Sequence, residues 1–591
     1  MRLTATTSGT EARGAALLAA GLLLSAGGAA AQTGAGLPGT LGTGGAPGLA
    51  AGSSPFAVDA GTGLPAGIGS PVPSSPLRPP VRLGGFFESP FGGPPVALGS
   101  TAPSRPYEFI PTLTARVTAT DRARLGGTGR GGEGEVITSV VPSLAVRANT
   151  ARVQGTVSYA PNFNFYLNDT QPSRVDHRFF GAGTLVAIPD ALFVDVRALS
   201  TLSPINPGLN QTNTLTDRRS DLAQNYFFSV SPYYIQRFGS LATGIVGYQF
   251  SYNDRQAQTL RVNPANPFSP SVGGSEALTT HTGYAALRTG EDFGRLAMEA
   301  RVSGSAFTGG SAVTDGASRM LAVLESRYAI TRTVSVLAEG GWENLRFGGV
   351  TPYRVNGPVW GFGVRLDPSP NSTITVRYRR RDGFDSPQAE ARVQLGPRTV
   401  AFGRYLEAAT TSLRQTSDLL SAITVDELGN AVDSRTGAPA PELGGVGFLG
   451  AQNGLFRSRR GTLSVSQFLP RGTITLQYLH DQRSPLSVAP GQAAFSQEGD
   501  TVSLIGQRPL SEVTSAFGSV GYSWNRSGTF NSRSETLNGR VGVSHRFSDS
   551  LFGSLQYQLI QRTSSVAGTA GNLAPRDATQ NSLIGSLTAR F

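Results

Sequence analysis

Residues 581–591 read NSLIGSLTARF, and the chain given stops on Phe591. Taken with a period of two, the stretch puts Leu583, Gly585, Leu587, Ala589 and Phe591 on one face and Ser582, Ile584, Ser586, Thr588 and Arg590 on the other. Successive strand residues point to opposite sides, so this is a strand with one apolar face. In water such a terminal strand would be an unprotected edge, open to pairing with any other strand. A closed barrel in lipid has no edge, and the apolar face then has a solvent of its own.

The same alternation recurs upstream. Ala242, Gly244, Val246, Tyr248 and Phe250 alternate with Thr243, Ile245, Gly247, Gln249 and Ser251, and Leu551, Gly553, Leu555, Tyr557 and Leu559 alternate with Ser554, Gln556 and Gln558. From Tyr107 onward such segments are joined by connections that are in turn short (RANTA, IPDAL, RFGS, TGEDFG, ITRT, DPSPNS, LGPRT, LPRG, FSDS) and long and polar. Outer-membrane barrels pair tight periplasmic turns with longer extracellular loops. The fold class this predicts is all-β: a single transmembrane antiparallel up-and-down barrel of about 22 strands, an even number inside the range of such barrels. Aromatic side chains give an independent direction, because Trp and Tyr collect at membrane interfaces. Trp342, Trp360 and Trp524 are expected near the extracellular strand ends, and Tyr234, Phe238, Phe547 and Phe591 near the periplasmic ends.

Composition agrees. Only 15% of the 591 residues are charged, 75 are glycine, and mean hydropathy is -0.11. Soluble domains carry about 25% charged residues. Residues 1–31 read as a secretory signal peptide, with Arg2 and Arg13, an apolar run from Ala15 to Leu24, and Ala29-Ala30-Ala31 before Gln32. No stretch has the ~20 apolar residues of a membrane helix. Residues 32–106, rich in Gly, Pro, Ala and Ser, read as a disordered periplasmic segment, and 107–591 as the barrel. There is no cysteine, which excludes disulfides, zinc thiolates and thiol catalysis. The net charge of +11 comes entirely from arginine. Behind an export signal it does not point to nucleic acid.

Little in the sequence offers chemistry. His177, His281, His480 and His545 lie far apart, and none forms a HExxH pair. GTGRGG at 127–132 fits GxGxxG but opens no helix, so a dinucleotide fold is excluded by context. No nucleophile elbow or paired-carboxylate setting is found. An enzyme is not expected, and no catalytic, metal or cofactor residue is assigned. The informative charges are in STITVRYRRRDGF, where Ile374, Val376 and Tyr378 face lipid and send Arg377, Arg379 and Arg381 inward. Arg365 and Arg392 extend this lumen wall, with Glu390 close by. Such a wall can bias a pore toward anions or position acidic sugars. Equally, the arginines can pair with Glu299, Glu325 and Glu339 and merely fill a wide barrel.

The longest connection, from about Ala408 to Gly454, needs a role. Leu413, Leu420 and Ile423 fall at helical spacing before Gly429, which predicts a short amphipathic helix folded into the mouth. Several stretches, among them FIPTLTARVTATDRARL, VVPSLAVRANTARVQGTVSYAPNFNFYL, GTLVAIPDALFVDVRALS and LFRSRRGTLSVSQFLPRGTITLQYLHDQR, resemble the outer-membrane β-barrel porin family associated with PEP-CTERM and exopolysaccharide gene clusters. That resemblance implies a pore or scaffold in the outer membrane of a Gram-negative bacterium, with a part in polysaccharide export or surface assembly and an acidic polysaccharide as partner. The terminal Phe591 itself resembles the signature that the barrel-assembly machinery reads and is expected to be an assembly signal, with outer-membrane lipid and lipopolysaccharide around the barrel. The alternatives are a gated, TonB-dependent-type transporter, since about 22 strands is the size of the plugged transporters, and a structural or adhesive surface protein.

Overall fold

The computed structural model describes Pro106–Phe591, except 124–131, 206–214, 217–218, 220–221, 262–270, 416–422, 426–430, 434–452, 493, 495, 528–531 and 567–576, together with a two-residue pairing of Val58–Asp59 with Leu64–Pro65. Residues 1–31, read as a signal peptide, and the rest of 32–105, read as a disordered segment, lie outside the described residues, as does Leu420.

The strands, in chain order, begin with β1 Tyr107–Thr120, β2 Glu135–Asn149, β3 Val153–Tyr159 continuing as Asn162–Tyr166, β4 Arg174–Asp176 continuing as Phe179–Ile188, β5 Leu192–Pro204, β6 Leu222–Phe238 and β7 Ala242–Gln256. Then come β8 Glu276–Thr289, β9 Leu296–Gly309, β10 Ser318–Ala329, β11 Val334–Phe347, β12 Tyr353–Ser369, β13 Ser372–Arg381, β14 Phe384–Gly396 and β15 Thr399–Thr410. The last are β16 Gly454–Leu469, β17 Gly472–Val488, β18 Gln497–Pro509, β19 Thr514–Ser527, β20 Ser532–Arg546, β21 Leu551–Val566 and β22 Ala578–Arg590. Each pairs antiparallel with its sequence neighbours, and β1 pairs with β22 from Thr112↔Arg590 to Thr120↔Ser582, closing a barrel of 22 strands. β3 is interrupted at Ala160-Pro161, where proline has no N–H to give the ladder.

One end of the barrel carries only tight turns, and both β1's start and Phe591 lie there. Several of these turns share a device: a hydroxyl at the turn's first residue accepts the N–H three residues on. Thr150 holds Val153 (2.8 Å), Thr331 holds Val334 (3.0 Å) and Ser511 holds Thr514 (3.0 Å). This local bond fixes the reversal without help from outside the hairpin. The other end carries the long connections, of which 411–453 is the longest.

The two faces of the wall differ as the alternation requires. In β1, Leu113 and Val117 are exposed on the outside while Thr112, Thr114, Arg116, Thr118 and Thr120 are buried on the inside. In β22, Leu583 and Leu587 face out and Ser582 and Thr588 face in, and Thr114 and Thr588 exchange a hydroxyl hydrogen bond of 2.9 Å across the closure. Some inward positions are apolar: Ile245 packs with Tyr233, Ile235, Phe193 and Tyr284. There Tyr284 lies across Gly247, where a Cβ would sit 2.3 Å from the ring. Among the described residues no helix is long and apolar enough to cross a membrane. The strands are what cross.

Candidate functional site: the arginine–carboxylate wall and the mouth

The register of β8–β14 stacks charged side chains in rows on the inner face. Arg288, Glu299, Glu325 and Glu339 are direct cross-strand neighbours, and the row continues through Gly361 to Arg379. Three glutamates abreast repel one another unless cations lie between them. Arg288 in the row itself and arginines in the rows on either side supply these cations. Arg288 bonds Glu299 (2.6 Å), Arg301 bonds Glu325, and Arg377 reaches the other oxygen of Glu325 (3.4 Å). Gly361 leaves room for this lattice, since a Cβ there would meet the Arg379 side chain at 2.9 Å.

All five arginines read from the sequence as a lumen wall point inward on β12–β14, but in different company. Arg377, Arg379 and Arg381 are buried, Arg377 on Glu325. Arg365 is held by Asp367 (2.9 Å) next to it, which also accepts the Thr373 hydroxyl (2.9 Å). Arg392 lies over the ring of Phe402, 5.6 Å from its centroid. Glu390 stands directly opposite Arg404 in the ladder. Glu299 and Glu325 are therefore partners of arginines, and the wall is a mixed-charge lattice rather than a positive strip.

At the long-loop end the wall meets a second construction. β13 and β14 are joined by only Asp382 and Gly383, both with positive φ (57° and 82°), the two-residue turn that matches strand twist. Its neighbours run further, so the turn sits low and is tied to them. The Asp382 carboxylate accepts from Arg319 on β10 and from the Ala409 N–H on β15 (2.9 Å). The Asp382 and Gly383 N–H groups donate to Glu343 on β11 (2.9 Å each), and the Tyr353 hydroxyl donates to the Asp382 carbonyl (2.6 Å). Above it, Leu278, Phe307, Val313, Leu345, Phe347, Leu413 and Leu455 form a buried apolar cluster that joins β8–β11 to β15–β16. The connection between β11 and β12 reaches β17, with Val350 N–H to Val488 O (2.9 Å) and Ser487 Oγ to Gly348 O (2.7 Å). Part of the mouth is thus roofed by packed side chains.

The connection after β15 enters this roof. A single helical turn follows Thr411, with Gln415 N–H on Thr411 O (2.8 Å), and carries Leu413 into the cluster. Arg414 lies over the Phe307 ring, 5.5 Å from its centroid. The expected longer helix is corrected at Ile423. Ile423–Val425 is extended and pairs antiparallel with Ala431–Asp433, as the β-branched run Ile423-Thr424-Val425 favours.

The four histidines are scattered, but His480 is not isolated. On the outer face of β17–β18 its Nδ1 lies 2.8 Å from Asp500, which also accepts the Tyr478 hydroxyl (2.7 Å). His480, Glu498 and Asp500 can bring ligand atoms within 4.8 Å of one another, the group with metal-ligand spacing among the described residues. Sequence spacing missed it because the residues come from two strands whose register had not been assigned.

On the outside, the tryptophans Trp342 (53% exposed) and Trp524 (37%) lie toward the long-loop end, and Phe238, Phe547 and Phe591 toward the short-turn end, with an apolar band between. Tyr234 is exposed in the same lower rim, and Trp360 packs beside Tyr378. Only lipid suits such a band on a closed sheet. The chain is an outer-membrane β-barrel of a Gram-negative bacterium. No family model and no curated protein sequence matches it. Among solved structures it is similar to the siderophore receptor PirA from Acinetobacter baumannii (8% identity, 82% of this chain and 80% of that one, TM-score 0.44). It is also similar to the ferric-catecholate import receptor Fiu from E. coli K12 in its closed form (9%, 81% and 81%, TM-score 0.44). A third likeness is the alcaligin outer-membrane receptor FauA from Bordetella pertussis (13%, 82% and 76%, TM-score 0.41).

Proposed function

We propose that this barrel is a gated outer-membrane transporter whose cargo is anionic and passes along the arginine–carboxylate wall. The observation that carries the reading is the roofed mouth: Asp382, held by Arg319, Glu343, Tyr353 and Ala409, anchors a buried apolar cluster across part of the entrance of a 22-strand barrel. A barrel of that circumference has an interior wide enough to need an occluding element. A passive open pore would have no use for one. The wall supplies guanidinium groups that a carboxylate, phosphate or acidic sugar could engage by exchanging with Glu325 or Asp367. The export of an acidic exopolysaccharide, implied by the resemblance, is the narrower version of this reading.

Planar-bilayer recording of the refolded chain tests it. Wild-type protein should show low, intermittent conductance, and Asp382→Ala, which unties both Arg319 and the Ala409 N–H, should raise it several-fold. A large steady conductance in wild-type protein, unchanged in the variant, would support the open pore instead. With the mouth untied, an acidic polysaccharide should block current more than a neutral polymer of the same size.

A further inference from the structure

The outer face at the long-loop end carries several arginines, and nearly all are matched with acids there. Arg380 pairs with Asp385 (3.3 Å), and Arg457 and Arg459 share Glu407 (2.5 and 3.3 Å). Arg526 and Arg533 stand opposite each other, but Glu498 is the other cross-strand neighbour of Arg526, and Glu535 lies two residues along from Arg533. Among the described residues the exception is on β11 and β12. Arg346 and Arg354 are direct cross-strand partners, both exposed and both on the outer face. The remaining neighbour in their row is Ser318. The row beneath is Met320, Asn344 and Asn356, and the next is Ala322, Trp342 and Pro358. None of these is acidic. The nearest acid along the chain from Ser318, Asp315, is committed to the Gly309 N–H (2.8 Å).

Like charges placed directly opposite on adjacent strands destabilise a sheet. Among the described residues nothing beside this pair supplies the counter-charge, which leaves it to a ligand outside the barrel wall. Its depth says what that is. Trp342, exposed and held by its indole N–H on Asn356 Oδ1 (2.9 Å), marks the membrane interface. Arg346 lies four residues further along β11, about 13 Å at strand rise, which puts the pair at or just above the headgroups of the outer leaflet. That leaflet is built from a phosphorylated glycolipid, and two guanidinium groups side by side form a fork for one phosphate. We infer that Arg346 and Arg354 form a specific clamp for a phosphate of the outer-leaflet glycolipid, with Trp342 and Met320 beneath it against the first acyl chains. The site is on the lipid face, independent of what passes through the lumen.

The test titrates the refolded full chain, in detergent, with bisphosphorylated lipid A, with the same lipid stripped of phosphate, and with inorganic phosphate, following binding by native mass spectrometry and thermal unfolding. Wild-type protein should bind lipid A and gain thermal stability from it, while stripped lipid and free phosphate each bind at least tenfold more weakly. Arg346→Gln with Arg354→Gln should lose at least tenfold in lipid A binding, yet fold as well as wild type or better in detergent alone, because the repulsion is gone. Arg526→Gln with Arg533→Gln should keep most of the binding. The inference is overturned if stripped lipid binds as tightly as lipid A, or if the first pair of substitutions leaves binding intact. Equal losses from both pairs would also overturn it, since charge anywhere on the rim would then suffice. The comparison of lipids on wild-type protein decides the matter even if a variant fails to fold.

Discussion

Arg377 differs from an ordinary pore-lining cation because its charge is already spoken for: Glu325 is shared between it and Arg301. Replacing Arg377, Arg379 and Arg381 together by Gln removes three positive charges from in and beside the row that holds Glu299, Glu325 and Glu339 and leaves the glutamates behind. The reversal potential in a salt gradient should therefore move toward cations, measurably but by less than three free charges would give. An unmoved potential would mean that ions do not travel along this side of the lumen. The direction of these side chains was legible, because Ile374, Val376 and Tyr378 fix the register and the pleat does the rest. Their pairing was not, since Arg377 and Glu325 are 52 residues apart and the choice between a free and a paired arginine depends on which rows align. Asp382 shows the same limit. The Asp-Gly pair spells a tight hairpin turn, but nothing local announces that the carboxylate will reach Arg319 and Ala409.

At the scale of elements, strands of period two were legible throughout, because one face must satisfy lipid and the other must not. The connection after β15 was read in part. Its first turn does fold inward, on Leu413, but the periodic spacing of Leu413 and Ile423 was not enough to hold a helix where β-branched residues had a strand to pair with. Leu413 is 5% exposed and sits in the mouth cluster among Leu278, Phe307 and Leu455. Leu413→Asp would bury a carboxylate among apolar neighbours, a change in the upper part of the range for single substitutions, about 3 kcal/mol. The strands make their own ladders, so the barrel itself should persist. The expected outcome is a protein that still shows heat-modifiable migration on gels but conducts more, with the increase no larger than that of Asp382→Ala. A variant with wild-type conductance would show that the cluster roofs no pathway.

For the whole molecule, the apolar outside of the barrel specifies where it resides, and the expectation that Phe591 serves assembly can be tested separately from stability. Phe591 is 76% exposed, its N–H bonded to Pro111 O (3.1 Å) across the closing pair of strands, so it buries little and contributes little packing. Deleting it, or exchanging it for Ser, should leave the folded barrel's stability within about 0.5 kcal/mol of wild type while lowering the amount inserted in the outer membrane. Equal amounts of folded, membrane-embedded barrel in the two strains would remove the assembly role.

The β1–β22 seam adds a consequence for time rather than place. Thr114 and Thr588 touch although 474 residues separate them. Contacts that span so much chain form slowly, because the ends must be brought together before any interaction offsets the lost freedom. β1 is the first strand of the barrel to emerge from the ribosome, and its partner β22 is the last. Until β22 has been made and exported, one edge of β1 has nothing to pair with, and every intermediate between them is an open sheet with an apolar face and two raw margins. Such a chain has no stable half-built form, so a truncation anywhere before β22 should yield degraded protein rather than a smaller barrel.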